Sequence, residues 1–299
     1  MRIAAAQYPI ELLASWDAYR MKLESWVGEA AGNGAELLLF PEYGGMELAS
    51  LLDENSRGDL KASIEGMKQF VEPFLELHAE LARRYGVHIA AASLPVGNSV
   101  GQFHNVTHLF SPDGPYSSQE KIVMTRFERE LWGIEGGNRL RLFETDLGPI
   151  GIAICYDAEF PLLVHRLCDS GARLILVPSC TDAVAGYSRV NIACRARAIE
   201  NQCYVAMAPT VGEAPWSPAV DVNVGAAGVY APPDRGLPDT GIIAEGALNG
   251  AQWLYADIDF THTERVRRDG QVLNSRDWAE QEGLGRAERV QLSRAVKSA

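Results

Sequence analysis

Positive charge is scarce in this sequence. Its 27 Lys and Arg residues face 39 Asp and Glu, a formal charge of −12. The densest basic run, Arg265, Arg267 and Arg268, is broken by Val266 and followed by Asp269. Nucleic-acid and anionic-membrane binding need clustered Lys and Arg, so neither is expected. Long apolar runs are missing as well: nowhere do about 18 apolar residues run together, the length a membrane-spanning helix needs. The start, Met1 to Gln7, carries too short an apolar run for a signal peptide. Cysteines are few: Cys155, Cys168, Cys180, Cys194 and Cys203, with no Cys-x-x-Cys pair. Reduced thiols and a cytoplasmic location are therefore expected over a disulfide framework. Among the histidines only His104 and His108 stand four apart, and in an extended strand that spacing separates them by about 13 Å. No metal site is expected, and with no Gly-x-x-x-x-Gly-Lys-Ser/Thr loop or Gly-x-Ser-x-Gly elbow present, no phosphate-loop or serine-elbow chemistry.

What is present is an ordinary globular balance, 47% apolar over 299 residues; a chain of this length buries roughly 75% of its unfolded surface. Short apolar runs alternate with amphipathic stretches. Ile3–Ala6, Leu37–Phe40, Val87–Ala92 and Val106–Phe110 read as strands, with helices at Asp17–Ala31 and Met67–Tyr85. A second cycle follows: strands at Ile150–Cys155, Leu174–Val177 and Cys203–Ala208, and helices near Leu162–Ser170 and Arg189–Ile199. Later strands are expected at Val224–Tyr230 and Trp253–Ile258, with a loop at Pro232–Gly241. The cycles echo one another. Gly34-Ala35-Glu36 leads through Leu37–Phe40 to Pro41 and Glu42, as Gly171-Ala172-Arg173 leads through Leu174–Val177 to Pro178 and Ser179. Each Pro should stop its strand, so Glu42 and Ser179 should emerge at carboxyl ends, where open α/β sheets build their sites. The expected fold is α/β: a four-layer α-β-β-α sandwich of two mixed sheets with internal pseudo-duplication, one domain over residues 1–270. Residues 271–299 lose periodicity and read as a C-terminal arm.

Four side chains stand out for chemistry. Cys155 ends an apolar strand before a helix, where neighbouring amides would stabilise a thiolate nucleophile. Glu42 follows a strand directly, and partial desolvation would raise its proton affinity into the range of a general base. Lys121, in Glu120-Lys121-Ile122, would be a fixed cation for a developing oxyanion. Glu128 lies in a charged run that also contains Trp132 and Gly133. Taken singly, each has a plainer reading: a core cysteine, a strand-end carboxylate, a snorkelling lysine and a solvated loop.

Together and in this order, Leu-Leu-Leu-Phe-Pro-Glu42-Tyr, Glu-Lys121-Ile and Gly-Ile-Ala-Ile-Cys155-Tyr-Asp-Ala-Glu-Phe-Pro resemble the nitrilase superfamily of carbon–nitrogen hydrolases, on its amidase-like side. Arg2–Gln7 resembles the family's first strand, His104-Asn105-Val106 with Ser111–Gly114 its central hairpin, and Arg195–Gln202 the helix after the nucleophile. The resemblance implies Cys155 as nucleophile, Glu42 as general base and acid, Lys121 as oxyanion stabiliser and Glu128 as a substrate-orienting second glutamate. It implies no metal or organic cofactor. Tyr43, Tyr156, Ser179 and Asp182 are expected to border the substrate. The expected reaction is hydrolysis of a small linear amide through a thioester, with a nitrile or an N-carbamoyl compound as alternatives and an acyltransferase or an idle scaffold as other classes. Tyr156-Asp157 after the cysteine favours an amide, whereas Glu128-Arg-x-x-Trp-Gly also occurs in nitrilases. The segment after Ser179 departs from relatives, as does Gly225–Gly228, where a Ser is common. The resemblance also implies a homodimer formed through the helices near Glu159–Ser170 and Arg189–Glu200.

Overall fold

The computed structural model describes residues 1–281, 283–290 and 292. In chain order the strands are β1 (Arg2–Pro9), β2 (Leu37–Leu39), β3 (His88–Ala90), β4 (Leu94–Gly97), β5 (Phe103–Phe110), β6 (Tyr116–Glu120), β7 (Ile134–Glu135), β8 (Leu142–Thr145), β9 (Gly148–Ile152), β10 (Leu174–Ser179), β11 (Tyr204–Glu213), β12 (Val222–Asn223), β13 (Gly228–Tyr230), β14 (Ile242–Glu245) and β15 (Gln252–Asp257). The helices are α1 (Trp16–Gly32), α2 (Glu54–Gly58), α3 (Leu60–Gly66), α4 (Lys68–Tyr85), α5 (Pro161–Asp169), α6 (Val184–Asn201), α7 (Phe260–Asp269) and α8 (Asn274–Asp277).

The result is a mixed α/β fold. In one group of strands β2 runs parallel to β1 and β3, while β5 runs antiparallel to β3, β4 and β6. In the other, β10 runs parallel to β9 and β11, with β8, β13 and β14 added antiparallel. The groups are not separate sheets. A parallel pairing of Tyr8 and Pro9 with Thr210 and Val211 joins them into one continuous, curled sheet.

Because strand side chains alternate, neighbouring residues of β1 and β2 feed different cores. Ala4, Ala6 and Leu38 pack with Tyr19, Leu23 and Val27 of α1 and with Phe74, Leu77 and Leu81 of α4. Ile3, Ala5, Leu37 and Leu39 instead join Ile150, Ile152, Leu174 and Leu176 of the second group, along with Val164 and Leu167 of α5 and Val190 and Ala198 of α6. Helix α1 starts where expected because the Ser15 hydroxyl accepts the Ala18 N–H at 3.2 Å. The paired Gly-Ala segments enter their strands alike. Gly34 and Gly171 both take positive φ, +79° and +123°, and the residues just before the strands donate across, Glu36 N–H to the Arg2 carbonyl and Arg173 N–H to the Pro149 carbonyl.

Two expectations need correction. Pro178 does not stop its strand: β10 continues to Ser179 beside β11, past the point where pairing with β9 ends at Leu176. Val224–Ala227 is not strand, because its N–H groups are taken elsewhere. Val224 donates to the Thr181 carbonyl, Gly225 to the Asn249 side chain and Ala227 to the Gln7 side chain. Beyond residue 270, Trp278 stacks on His165 of α5 with ring centroids 3.9 Å apart, and Ser275 N–H donates to the Gln202 side chain. Within the segment read as an arm, positions 282, 291 and 293–299 lie outside the described residues.

Candidate active site

The expected residues meet where strands of both groups end. Glu42 lies three residues past β2, Lys121 follows β6 directly, and Cys155 opens a short helical turn, Cys155–Glu159, between β9 and α5. Cys155 is held at φ +48° and Tyr43 at +52°. A non-glycine residue in this left-handed region carries strain of order 1 kcal/mol. Both lie on turns that aim a functional side chain, so the strain is spent on presentation.

Lys121 is the hub. Its ammonium donates to Glu42 Oε1 at 2.7 Å and to Glu128 Oε2 at 2.6 Å, and all three side chains are buried. An ammonium has three N–H donors, so two are spent on carboxylates and one is left for the cavity that Lys121 lines. Burial works against the charged lysine, but Glu42 and Glu128 outweigh it and hold its proton firmly.

The two carboxylates are not equivalent. Burial would raise Glu128, yet Lys121 and four further contacts outweigh it and keep it below the usual carboxylate range. Those contacts are Thr125 N–H at 2.9 Å, the Thr125 hydroxyl at 2.8 Å, the Tyr43 hydroxyl at 2.7 Å and Asn105 Nδ2 at 3.3 Å. Glu42 has fewer donors: Lys121, Asn105 Nδ2 at 2.9 Å and the Cys180 N–H at 3.1 Å. Burial pushes it up to about 7, with Lys121 opposing and the charge of Glu128 adding to the rise. Two acids around one ammonium are thereby driven apart, Glu128 held down and Glu42 raised to about 7.

The surroundings of the sulfur favour the thiol over the thiolate. Burial and the charge of Glu42 push Cys155 well above its ordinary value, against the pull of Lys121. Its hydrogen-bond partners are the Cys180 carbonyl at 3.8 Å and the Ser179 hydroxyl at 3.6 Å. A group that can take its proton is therefore needed before it can attack.

The sulfur opens into a cavity of about 640 Å³. Glu42, Tyr43, Lys121, Glu128, Trp132, Tyr156 and Cys180 line its depth, while Arg126, Glu159, Asp182 and Arg189 stand at its mouth. Of the residues expected around substrate, Tyr43 and Tyr156 reach the wall and Asp182 is an exposed rim residue. The Tyr43 hydroxyl is already committed to Glu128. Ser179 is placed differently: it is buried behind the sulfur and is absent from the cavity wall.

Several residues here were not singled out from sequence. Asn105 bridges both carboxylates. Thr125 and Glu128 exchange bonds, with Glu128 N–H to Thr125 Oγ1 at 3.3 Å and Thr125 N–H to Glu128 Oε2; Thr-x-x-Glu is a capping-box spacing visible in the sequence. Asp157 is buried and accepts the N–H groups of Ile122, Val123 and Ile154. It thus ties the backbone after Lys121 to the residue before Cys155. That role accounts for an acid at this place without any contact to substrate, and it weakens Tyr156-Asp157 as a sign of substrate type.

The comparisons with known proteins agree with this arrangement. The family described as carbon–nitrogen hydrolase matches residues 2–268. A probable hydrolase of Bacillus subtilis, YhcX, is 34% identical over 277 residues; the match covers 93% of this chain and 53% of that protein, so the chain spans about half the relative's length. An omega-amidase of Danio rerio is 26% identical over 269 residues, covering 85% of this chain and 87% of the relative. Among solved structures, a carbon–nitrogen hydrolase of Helicobacter pylori superposes with a TM-score of 0.73 at 19% identity, covering 90% of this chain and 92% of its own. An amidase from Nesterenkonia superposes at 0.64 and 22%, with 93% and 96% covered. Fold and family point the same way, and the chain belongs to the carbon–nitrogen hydrolase family, within the nitrilase superfamily.

Proposed function

We propose that this protein is a thiol amidohydrolase that cleaves the non-peptide C–N bond of a small linear amide through a thioester. One observation carries the reading: a buried thiol, a carboxylate that titrates near 7 and an ammonium with one donor left converge on a single cavity. Glu42 takes the proton of Cys155 as the sulfur attacks the amide carbon, and the C–O π pair moves onto oxygen. The free N–H of Lys121, with the Tyr156 N–H, stabilises that oxyanion. Collapse expels the nitrogen, protonated by Glu42, and leaves the thioester. Glu42 then takes a proton from water, hydroxide adds to the thioester carbon, and the carboxylic acid departs as the thiolate regains its proton. Glu128, a standing anion, keeps Lys121 charged and in place throughout. Two relatives carry amidase names, an omega-amidase and the Nesterenkonia amidase, a mutant of which is described with acrylamide joined by Michael addition to the active-site cysteine.

In the same reading the curled sheet and its helices form an α-β-β-α sandwich whose two halves share an origin, with the hydrolase domain over residues 1–270 and an arm beyond. The two hydrophobic clusters and the matched strand entries support this. The test of function is intact-mass spectrometry after incubation with a panel of amides and nitriles. An acyl adduct on Cys155 is expected from an amide, with ammonia release rising through an acid limb near pH 7 as Glu42 ionises. A nitrile turned over in preference to every amide would overturn the assignment.

The exposed faces of α5 and α6 carry Leu162, Ile192 and Ile199, and we read them as the homodimer contact. Ile192→Asp is expected to convert a dimer to a monomer in light scattering at micromolar concentration; an unchanged mass rejects the contact.

A further inference from the structure

Asn105 is fully buried on β5 and serves the site three times. Its carbonyl accepts the Lys121 N–H at 2.9 Å, fixing where the lysine leaves the sheet. Its side-chain Nδ2 donates to Glu42 Oε1 at 2.9 Å and to Glu128 Oε1 at 3.3 Å. The cost is visible in the same side chain: Oδ1 is buried with no hydrogen-bond partner among the described residues. An orphaned buried acceptor costs about 1–3 kcal/mol. Turning the amide over would give Oδ1 no relief, because it would then face two carboxylate oxygens. Side-chain orientation is thus dictated by the acids, and the orphan is the consequence.

We propose that Asn105 is a positioning residue that sets the proton affinity of Glu42 and holds it apart from Glu128. Donation to the ionised form of a carboxylate favours that form. Glu42 is faced by Lys121, the Cys155 thiol and the Cys180 N–H, which also favour ionisation, and by the charge of Glu128, which with burial does not. With one ammonium shared between two acids, the amide of Asn105 is a further donor, beside Lys121 and the Cys180 N–H, that helps keep Glu42 ionisable near neutrality. Asn105 does not line the cavity, so its influence falls on the proton transfer and not on substrate affinity.

This inference rests on the proposed function, and its test is chosen to stand without turnover. The pH dependence of Cys155 alkylation by iodoacetamide, followed by intact mass, reports removal of the thiol proton whatever the substrate is. Wild-type alkylation is expected to rise through an apparent pKa near 7. Asn105→Asp keeps the shape, loses the donor and adds a third carboxylate, so the limb is expected to move up by about one unit or more. Asn105→Ala, which adds no charge, is expected to move it up by less, and is the deciding variant if the Asp form does not fold. Where an amide substrate is found, kcat should fall at pH 7 with KM unchanged. A limb that stays at its wild-type position in a folded variant overturns the proposal, as does a KM effect without a pH shift. A moved limb in a protein that hydrolyses no amide leaves the role of Asn105 standing and removes the amidase reading alone.

Discussion

Cys155→Ala is expected to bring amide hydrolysis down to the blank, a loss of about 10³-fold or more. Removing one member of a nucleophile–base unit costs nearly as much as removing all of it. The substitution is mild for the fold: it deletes one sulfur from a side chain that is 4% exposed and whose contacts to Cys180 and Ser179 are long. The melting temperature should therefore change little while ammonia release vanishes. Glu42→Gln in parallel should also abolish turnover, leaving the thiol without a proton acceptor. Retention of more than a few per cent of activity in the alanine variant would mean that another group attacks; Cys180, on the same cavity wall, would be the first to examine.

Lys121→Met is expected to be the most damaging change to stability. It leaves Glu42 and Glu128 buried beside each other with no counter-charge, and breaking a buried pair by removing one partner costs about 3–5 kcal/mol. The triple variant with Glu42→Gln, Lys121→Met and Glu128→Gln should recover much of that loss, because it removes the charges together. It should remain inactive. Chemical denaturation of the single and triple variants distinguishes a charge cluster kept for catalysis from one kept for stability: equal destabilisation of both would reject the first.

The main strands and helices α1, α4, α5 and α6 are legible because hydrophobic period and length agree there, whereas α7 is not anticipated. β1, β2, β10, α1 and α4 all fall within a few residues of expectation. Where tertiary partners decide, periodicity misleads. Val224–Ala227 reads as an apolar strand, yet its N–H groups are claimed by Thr181, Asn249 and Gln7. The cysteine, the lysine and both glutamates were named from their motifs, but their charge states were not accessible. That the sulfur rests protonated depends on a burial and a neighbouring carboxylate that only three-dimensional proximity supplies. Asn105 was passed over for the same reason: one polar residue in a strand looks like any other until both acids are seen against it. Ser179 lies against the sulfur and not on the cavity wall, because a strand end specifies a neighbourhood and not a direction.

The pairing of β1 with β15, Arg2 opposite Asp257, has a consequence for biosynthesis. Strand β1 receives this neighbour only after all of the chain between them has been made. Until then one of its edges stays open for pairing with the wrong chain. Such distant pairings are also slow to form. The nascent segment is therefore vulnerable while the intervening elements are made, and chaperone dependence should be greatest between emergence of the Cys155 segment and emergence of β15.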